Sequence, residues 1–443
     1  MASINKKTAG AKTHEGAPAR QLTPLQALRR SVLACFLWED AFYEDGEQIG
    51  ERITRLVAEV KPEDVAALAV EAREQMNLRH APLWLARGLA KRRSPLVAAT
   101  LERVIQRPDE LAEFLALYWV GGKQPITAAA KRGLAAAFTK FDVYQLAKYD
   151  RRGMAIKLRD VMFLVHPKPK DAAQAATWKD LADGTLDTPD TWEVALSAGD
   201  DPRDTWLRLL IGRKLGALAL LRNLRNMQEA GVPLDQIREA LRTVNVRRVL
   251  PFRFIAAARY APDLEPELEE AMFRAAADLP KLPGRTALVV DHSGSMTGAP
   301  VSRRSELDRF DAARALAMLA REQCEEAMII VFGFNAKLIP GELRGFSLAR
   351  ALARGPGGGT HTENAKRLAD REGYDRIIII TDEQSHQAIS APQGRGYVIN
   401  VAPYEHGIGY GAWTHVDGWS EAALSYVAAT EDLSFEPAAT DED

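Results

Sequence analysis

Leu279-Pro280-Lys281-Leu282-Pro283-Gly284-Arg285-Thr286-Ala287-Leu288-Val289-Val290-Asp291-His292-Ser293-Gly294-Ser295 is the stretch on which the reading of this chain turns. Two prolines and a glycine close a long series of helical patterns, and Thr286 to Asp291 then reads as a buried strand ending in a carboxylate. Further on, Asp311 to Cys324 predicts a helix, Ala327 to Phe332 a second strand and Asn364 to Asp370 another helix. Asp375 to Asp382 and Gly396 to Val401 predict a third and a fourth strand. Near-continuous apolar strands alternating with helices specify a doubly wound α/β sheet, covered on both faces. Such sheets bind ligands at the carboxyl ends of their strands, which is where Asp291 and Asp382 fall.

Upstream of that turn the pattern is helix after helix. Thr23-Pro24-Leu25-Gln26 predicts the first start: a capping hydroxyl, a proline at the first helical position and a glutamine to close a capping box. Apolar residues at three- and four-residue spacings then recur to about residue 278, and no convincing period-2 strand interrupts them. Many short helix pairs over some 250 residues read as an α-solenoid with degenerate HEAT-like repeats. The rhythm carries no recurring signature, so an irregular helical bundle is the alternative. Residues 1–21 are small, polar and aperiodic and predict a disordered tail, and 431–443 predict an acidic one.

The chain has 443 residues, 58 Lys+Arg against 60 Asp+Glu, and 47% hydrophobic composition, which excludes wholesale disorder and fibrous folds. No uncharged apolar run approaches the ~20 residues a membrane span requires, and the basic start lacks an apolar signal segment. Cys35 and Cys324 stand alone, so a reducing cytoplasm is the expected compartment. The near-neutral balance hides an asymmetry: from Gly284 onward there are 15 basic and 23 acidic residues, leaving 43 against 37 before it. Residues 121–170 hold 11 basic and 3 acidic residues, and 201–260 hold 12 and 5. Such blocks suit a polyanionic partner, although basic runs are also ordinary solvated helix faces.

Asp291-His292-Ser293-Gly294-Ser295 has the form DxSxS, which gathers a carboxylate and two hydroxyls in one tight turn. Oxygen ligands with few formal charges suit Mg²⁺ or Mn²⁺. Two later pieces add weight: Thr360 on the glycine-rich Gly357-Gly358-Gly359 loop, and Asp382 at the end of another buried strand. A turn holding hydroxyls with no metal is the plainer alternative. This combination resembles the von Willebrand factor A domain and its metal-ion-dependent adhesion site. The resemblance implies that Ser293, Ser295 and Thr360 bind the cation directly, that Asp291 and Asp382 act through water, and that an acidic partner completes the site. His361 stands where many relatives carry Asp, and residues 297–308 form an insertion beside the motif. His292 is expected to face away from the ligands.

The basic blocks interleave cations with aromatics, as in Tyr144 to Arg152 and Met162 to Lys170, a mixture suited to phosphates and unpaired bases. Phe36-Leu37-Trp38-Glu39 with Phe42-Tyr43, Leu146-Ala147-Lys148-Tyr149 and His166-Pro167-Lys168-Pro169 lead a series of motifs. Ala219-Leu220-Leu221-Arg222-Asn223-Leu224 and Leu250-Pro251-Phe252-Arg253-Phe254 complete it. Their order, followed by an A-type domain, resembles the TROVE module of the Ro autoantigen family in its bacterial form. The resemblance implies a HEAT-like helical ring over 22–278 and a von Willebrand factor A-like domain over 279–430. It also implies binding of structured Y-like noncoding RNA and of single-stranded ends of misfolded RNA, in RNA quality control. Lys148, Arg152 and His166 would be the RNA contacts, with Arg222, Arg225 and Arg253 as further candidates that serve equally well in internal salt bridges. A ribonuclease such as polynucleotide phosphorylase is the implied partner of a monomeric, cytoplasmic chain.

No Ser-His-Asp set, HExxH, P-loop lysine motif or strand-following GxGxxG is present, so no enzyme is expected. The competing expectation is a metal-dependent interaction scaffold whose A-type domain docks an ATPase or chelatase partner.

Overall fold

The computed structural model describes residues 11–35, 46–150, 154–298 and 307–431. Two compact units emerge, Glu51–Asn245 and the combination of Met1–Gly50 with Val246–Asp443. Among the described residues, every regular element between Pro24 and Ala275 is helical. The change to strands comes at Leu282, within the Pro/Gly turn. The architecture is therefore a helix-rich amino-terminal region followed by a mixed α/β sheet.

Local chemistry starts the helices where it should. Thr23 Oγ1 accepts from the Gln26 N–H (3.3 Å), Gln26 Oε1 accepts from the Thr23 N–H (3.0 Å), and Pro24 opens the helix Pro24–Leu33. In the helical unit, side chains satisfy carbonyls left open at earlier helix ends, each reaching back 32 to 38 residues. Arg92 donates to the carbonyls of Val57 (2.5 Å) and Val60 (2.6 Å), Lys140 to those of Glu102 and Ile105, and Gln174 to that of Thr139 (2.9 Å). Buried Glu110 adds a second tie, accepting from Arg73 at 2.8 Å and from the amides of Gln106 and Arg107.

The sheet has six strands: β1 (Leu282–Asp291), β2 (Cys324–Phe332), β3 (Ala336–Ile339), β4 (Arg376–Thr381), β5 (Arg395–Asn400) and β6 (Thr414–Asp417). Their order is β3-β2-β1-β4-β5-β6, parallel throughout except that β3 runs against β2. The four expected strands are all present, and β3 and β6 extend the sheet at its edges. The run Ile377–Ile380 is fully buried, as a strand covered on both faces must be. Pairing of Val290 with Ile380 puts the ends of β1 and β4 side by side, so Asp291 and Asp382 leave the sheet together.

Residues 11–20, expected to be part of a disordered tail, instead form a turn lying against the sheet. Lys12 bridges Pro18, the Thr13 hydroxyl donates to the Ser385 carbonyl (2.7 Å), and the Arg20 N–H donates to the Gly407 carbonyl (3.0 Å). Polar contacts of main-chain and side-chain groups hold this segment, which is why no apolar pattern announces it. Residues 1–10, the Phe36–Tyr43 motifs, 299–306 of the insertion and 432–443 of the acidic tail lie outside the described residues. Glu431 itself is no tail residue: its carboxylate accepts from Arg376 Nε (2.7 Å) and from the Tyr397 hydroxyl (2.9 Å).

Candidate functional site

The carboxyl ends of β1 and β4 build the acid-and-hydroxyl site. Asp291, Ser293, Ser295, Thr360 and Asp382 are all buried, at 0–6% exposure. The Ser293 N–H donates to Asp291 Oδ1 (2.8 Å), closing the tight turn, and the Thr381 hydroxyl donates to Asp291 Oδ2 (2.5 Å). Ser293 Oγ lies 3.2 Å from Ser295 Oγ, and the Ser295 hydroxyl bonds Asp382. The Gln384 N–H donates to Asp382 Oδ1 (3.1 Å).

The glycine loop reaches this turn by its backbone: the Gly294 N–H donates to the Gly358 carbonyl (2.9 Å), with Gly358 at φ +90. Gly333 lets the loop come this near, since a Cβ there would stand 2.3 Å from the Pro356 carbonyl oxygen. Thr360 is then fixed by His386, whose Nδ1 accepts the Thr360 N–H (3.1 Å), and by the Ser385 hydroxyl on its carbonyl (3.2 Å). His292 turns aside and stacks on Phe310 at 4.1 Å between centroids, while His361 stacks on His386 at 5.2 Å.

Burial and the neighbouring Asp382 charge push the Asp291 carboxyl up to about 7. Burial likewise raises Asp382, opposed by the Ser295 hydroxyl and the field of buried Arg309. One oxygen, Asp382 Oδ2, is buried without a hydrogen-bond partner. An uncompensated oxygen beside a second buried carboxylate and two hydroxyls is the donor set of a hard cation, so the residues present fit Mg²⁺ or Mn²⁺. The set depends on hydroxyls: among the described residues, no group of three His, Cys, Asp or Glu side chains gathers as a metal site.

Beside this site lies a buried charge cluster that sequence reasoning missed. Arg30 pairs with Glu383 (3.0 Å), Glu383 with His415 Nδ1 (2.8 Å), and His415 Nε2 with Asp417 (2.8 Å). Glu383 sits at φ +63, a left-handed position for a non-glycine residue, directly after Asp382. Arg30, His415 and hydrogen bonding hold its carboxyl down at about 2 against the effect of burial. The carboxylates on either side raise His415 to about 9. The available signal was the alternation in Thr414-His415-Val416-Asp417, which puts His415 and Asp417 on one face of a strand. The neighbouring tryptophans are structural: Trp413 Nε1 donates to the Ser390 carbonyl (3.1 Å), and Trp419 packs edge-on against Phe252.

The basic candidates are placed less tightly. His166 ends the helix Leu158–Val165 in a left-handed conformation (φ +49) and is exposed, as are Lys168 and Lys170. Phe163 on that helix is 57% exposed and Tyr144 42%. Lys148 is half-buried, 6.0 Å from the Tyr149 ring, in a groove that also holds Lys157, Arg159, Asp183, Asp187 and Glu193. The helix Ala217–Glu229 buries Leu220, Leu221, Leu224 and Met227 and exposes Arg222 and Arg225. Arg225 lies 3.4 Å from Glu229. Other cations of the second block are paired, Arg208 (2.6 Å) and Lys214 (2.7 Å) both with Asp190. Arg253 belongs to the other compact unit and lies over the Phe252 ring at 5.0 Å. Arg152 lies outside the described residues.

Residues 183–332 match the family model described as TROVE domain. That span contains Arg222, Arg225 and Arg253 together with Asp291, Ser293 and Ser295. The crystal structure of the Deinococcus radiodurans RO (RSR) protein is similar over 93% of this chain and 100% of that one, at TM-score 0.59 and 19% identity. No curated protein matches the chain. A TROVE-domain match over residues 183–332, on a chain with the fold of the Deinococcus RO structure, is what these findings show.

Proposed function

We propose that this chain is a non-catalytic RNA-binding protein of the Ro type. The observation that carries the reading is the TROVE match, on a chain whose fold is that of a Ro protein. The exposed Phe163, His166, Lys168 and Lys170 supply what unpaired RNA needs, an aromatic face beside cations. The helical unit is a HEAT-like solenoid, in keeping with carbonyl-capping contacts that recur at 32 to 38 residues. Closure into a ring, Y-like RNA and misfolded single-stranded ends as ligands, a role in RNA quality control and an exoribonuclease partner belong to the same reading. So do a monomeric state and a cytoplasmic location.

The sheet unit is read as a von Willebrand factor A-like domain. Ser293, Ser295 and Thr360 would hold Mg²⁺ or Mn²⁺, with Asp291 and Asp382 behind them. When bound, the cation supplies positive charge to which a carboxylate or phosphate oxygen can attach. The chain's own part is to fix the donors: Thr381 orients Asp291, His386 and Ser385 orient Thr360, and Gln384 orients Asp382. The test is binding of purified protein to structured and single-stranded RNA, with Lys148→Ala and His166→Ala alongside. Loss of affinity in both, at unchanged thermal stability, supports the patch. Wild-type affinity in both removes it.

A further inference from the structure

Glu383 combines two costs that a fold ordinarily avoids: a carboxylate at zero exposure and a left-handed backbone (φ +63) on a residue with a Cβ. Its side chain is tied down from three sides. Arg30 of the helix Pro24–Leu33 stands 3.0 Å away, His415 Nδ1 on β6 stands 2.8 Å away, and the Gly409 N–H donates to Glu383 Oε2 (2.9 Å). Arg30, itself fully buried, is anchored in turn by the carbonyls of Tyr404 (2.5 Å) and His406 (3.3 Å). Glycine makes the room: a Cβ at Gly407 would stand 2.2 Å from Glu383 Oε2 and 2.4 Å from an Arg30 nitrogen.

The backbone that this cluster holds leads straight to the candidate cation donors. The Glu383 N–H donates to the Thr381 hydroxyl (3.0 Å), the same hydroxyl that donates to Asp291 Oδ2 (2.5 Å). The left-handed φ at Glu383 then turns the chain back. The Gln384 N–H thereby reaches Asp382 Oδ1 (3.1 Å), and the Gln384 side-chain amide reaches the Asp382 carbonyl (3.0 Å). Just beyond, the Ser385 hydroxyl donates to the Thr360 carbonyl (3.2 Å), and His386 Nδ1 accepts from the Thr360 N–H (3.1 Å). Ordinary extended or right-handed backbone at Glu383 would send these three residues elsewhere.

We infer that Glu383, clamped by Arg30, is the positioning residue of the acid-and-hydroxyl site. Buried charge pairing holds a strained turn, and that turn aims the groups that fix Asp291, Asp382 and Thr360. The inference rests on the cation reading of that site. Arg30 belongs to the first helix, more than 350 residues away in sequence, so cation affinity depends on the docking of that helix. By reciprocity, a bound cation strengthens the docking.

The test uses the full chain and Mn²⁺ itself, with the free ion followed by electron paramagnetic resonance below the unfolding transition of each variant. Glu383→Ala removes the clamp and keeps the Cβ that strains the turn, whereas Glu383→Gly removes the clamp and the strain together. Glu383→Ala is expected to weaken Mn²⁺ binding about tenfold, the factor that left-handed backbone costs a residue with a Cβ, and Glu383→Gly to recover most of that loss. Arg30→Met should weaken binding as well, and adding Glu383→Gly to it should restore it. Both Glu383 variants leave the same buried Arg30, so lost charge pairing cannot produce the difference between them. A role in stability alone would lower the folded fraction and leave the affinity of the folded protein equal in the two. Equal Mn²⁺ affinity in Glu383→Ala and Glu383→Gly therefore overturns the inference and leaves the cation site standing. No Mn²⁺ binding by the wild type removes the cation site and the inference with it.

Discussion

Raising the pH from 7 to 10 takes away the proton that His415 holds between Glu383 and Asp417. The groups around that imidazole are Glu383 from the loop after β4, Asp417 on its own strand, Tyr410 stacked at 4.0 Å, and Arg30 across Glu383. Its folded pKa of about 9 exceeds the ordinary 6.5, so its contribution is complete below 6.5 and is lost as pH rises through 9. Linkage gives about 2.5 kcal/mol of that contribution at pH 7 and almost none at pH 10. At a urea slope of about 3 kcal/mol per M, this corresponds to about 0.8 M in the unfolding midpoint. The assay is urea unfolding of the intact chain from pH 6 to 10, beside His415→Gln, whose neutral side chain cannot titrate. The other lysines, tyrosines and cysteines titrate in both proteins and cancel. Wild type should exceed the variant by most at pH 6–7, and the difference should shrink by about 2.5 kcal/mol by pH 10. Direct titration of the imidazole by NMR should give a midpoint near 9. Parallel curves with an ordinary imidazole midpoint would refute the reasoning.

Three further outcomes are expected. Arg30→Met leaves Glu383 with half its counter-charge at zero exposure and should cost about 3–5 kcal/mol, read as a lowered unfolding midpoint of the sheet unit. Gly333→Ala puts a methyl 2.3 Å from the Pro356 carbonyl and must displace the glycine loop; Mg²⁺ should then raise the melting temperature less than in wild type. Asp291→Asn removes one of two mutually repelling buried carboxylates, so stability in chelator should hold or rise while the Mg²⁺-dependent gain disappears; a large loss in chelator would contradict this.

The parts of the fold that were legible are those where a single periodicity decides. Ile377–Ile380 could only be a buried strand, and Thr23-Pro24-Leu25-Gln26 wrote out its own cap. The edge strands β3 and β6 were not legible, being four residues each and half exposed. Asp291, Ser293, Ser295, Thr360 and Asp382 could be singled out because a strand end fixes where its last carboxylate points. Arg30 and Glu383 could not, since they meet across more than 350 residues and only the folded chain brings a helix arginine to that loop. The turn at residues 11–20 escaped for a related reason: it is held by main-chain groups and by single polar side chains such as Thr13 and Gln384, which make no apolar periodicity.

The central claim is that cations of the helical unit grip RNA phosphates, and the salt dependence of RNA affinity tests it most directly. Anisotropy of a structured RNA with a single-stranded tail, on the intact chain from about 50 to 200 mM salt, should give a straight line of log affinity against log salt. Its slope should be about -0.7 to -0.9 for each phosphate neutralised, and Lys148→Ala and Arg222→Ala should each flatten it by about one such step. An affinity that does not change with salt, or a slope that both substitutions leave untouched, would contradict the account.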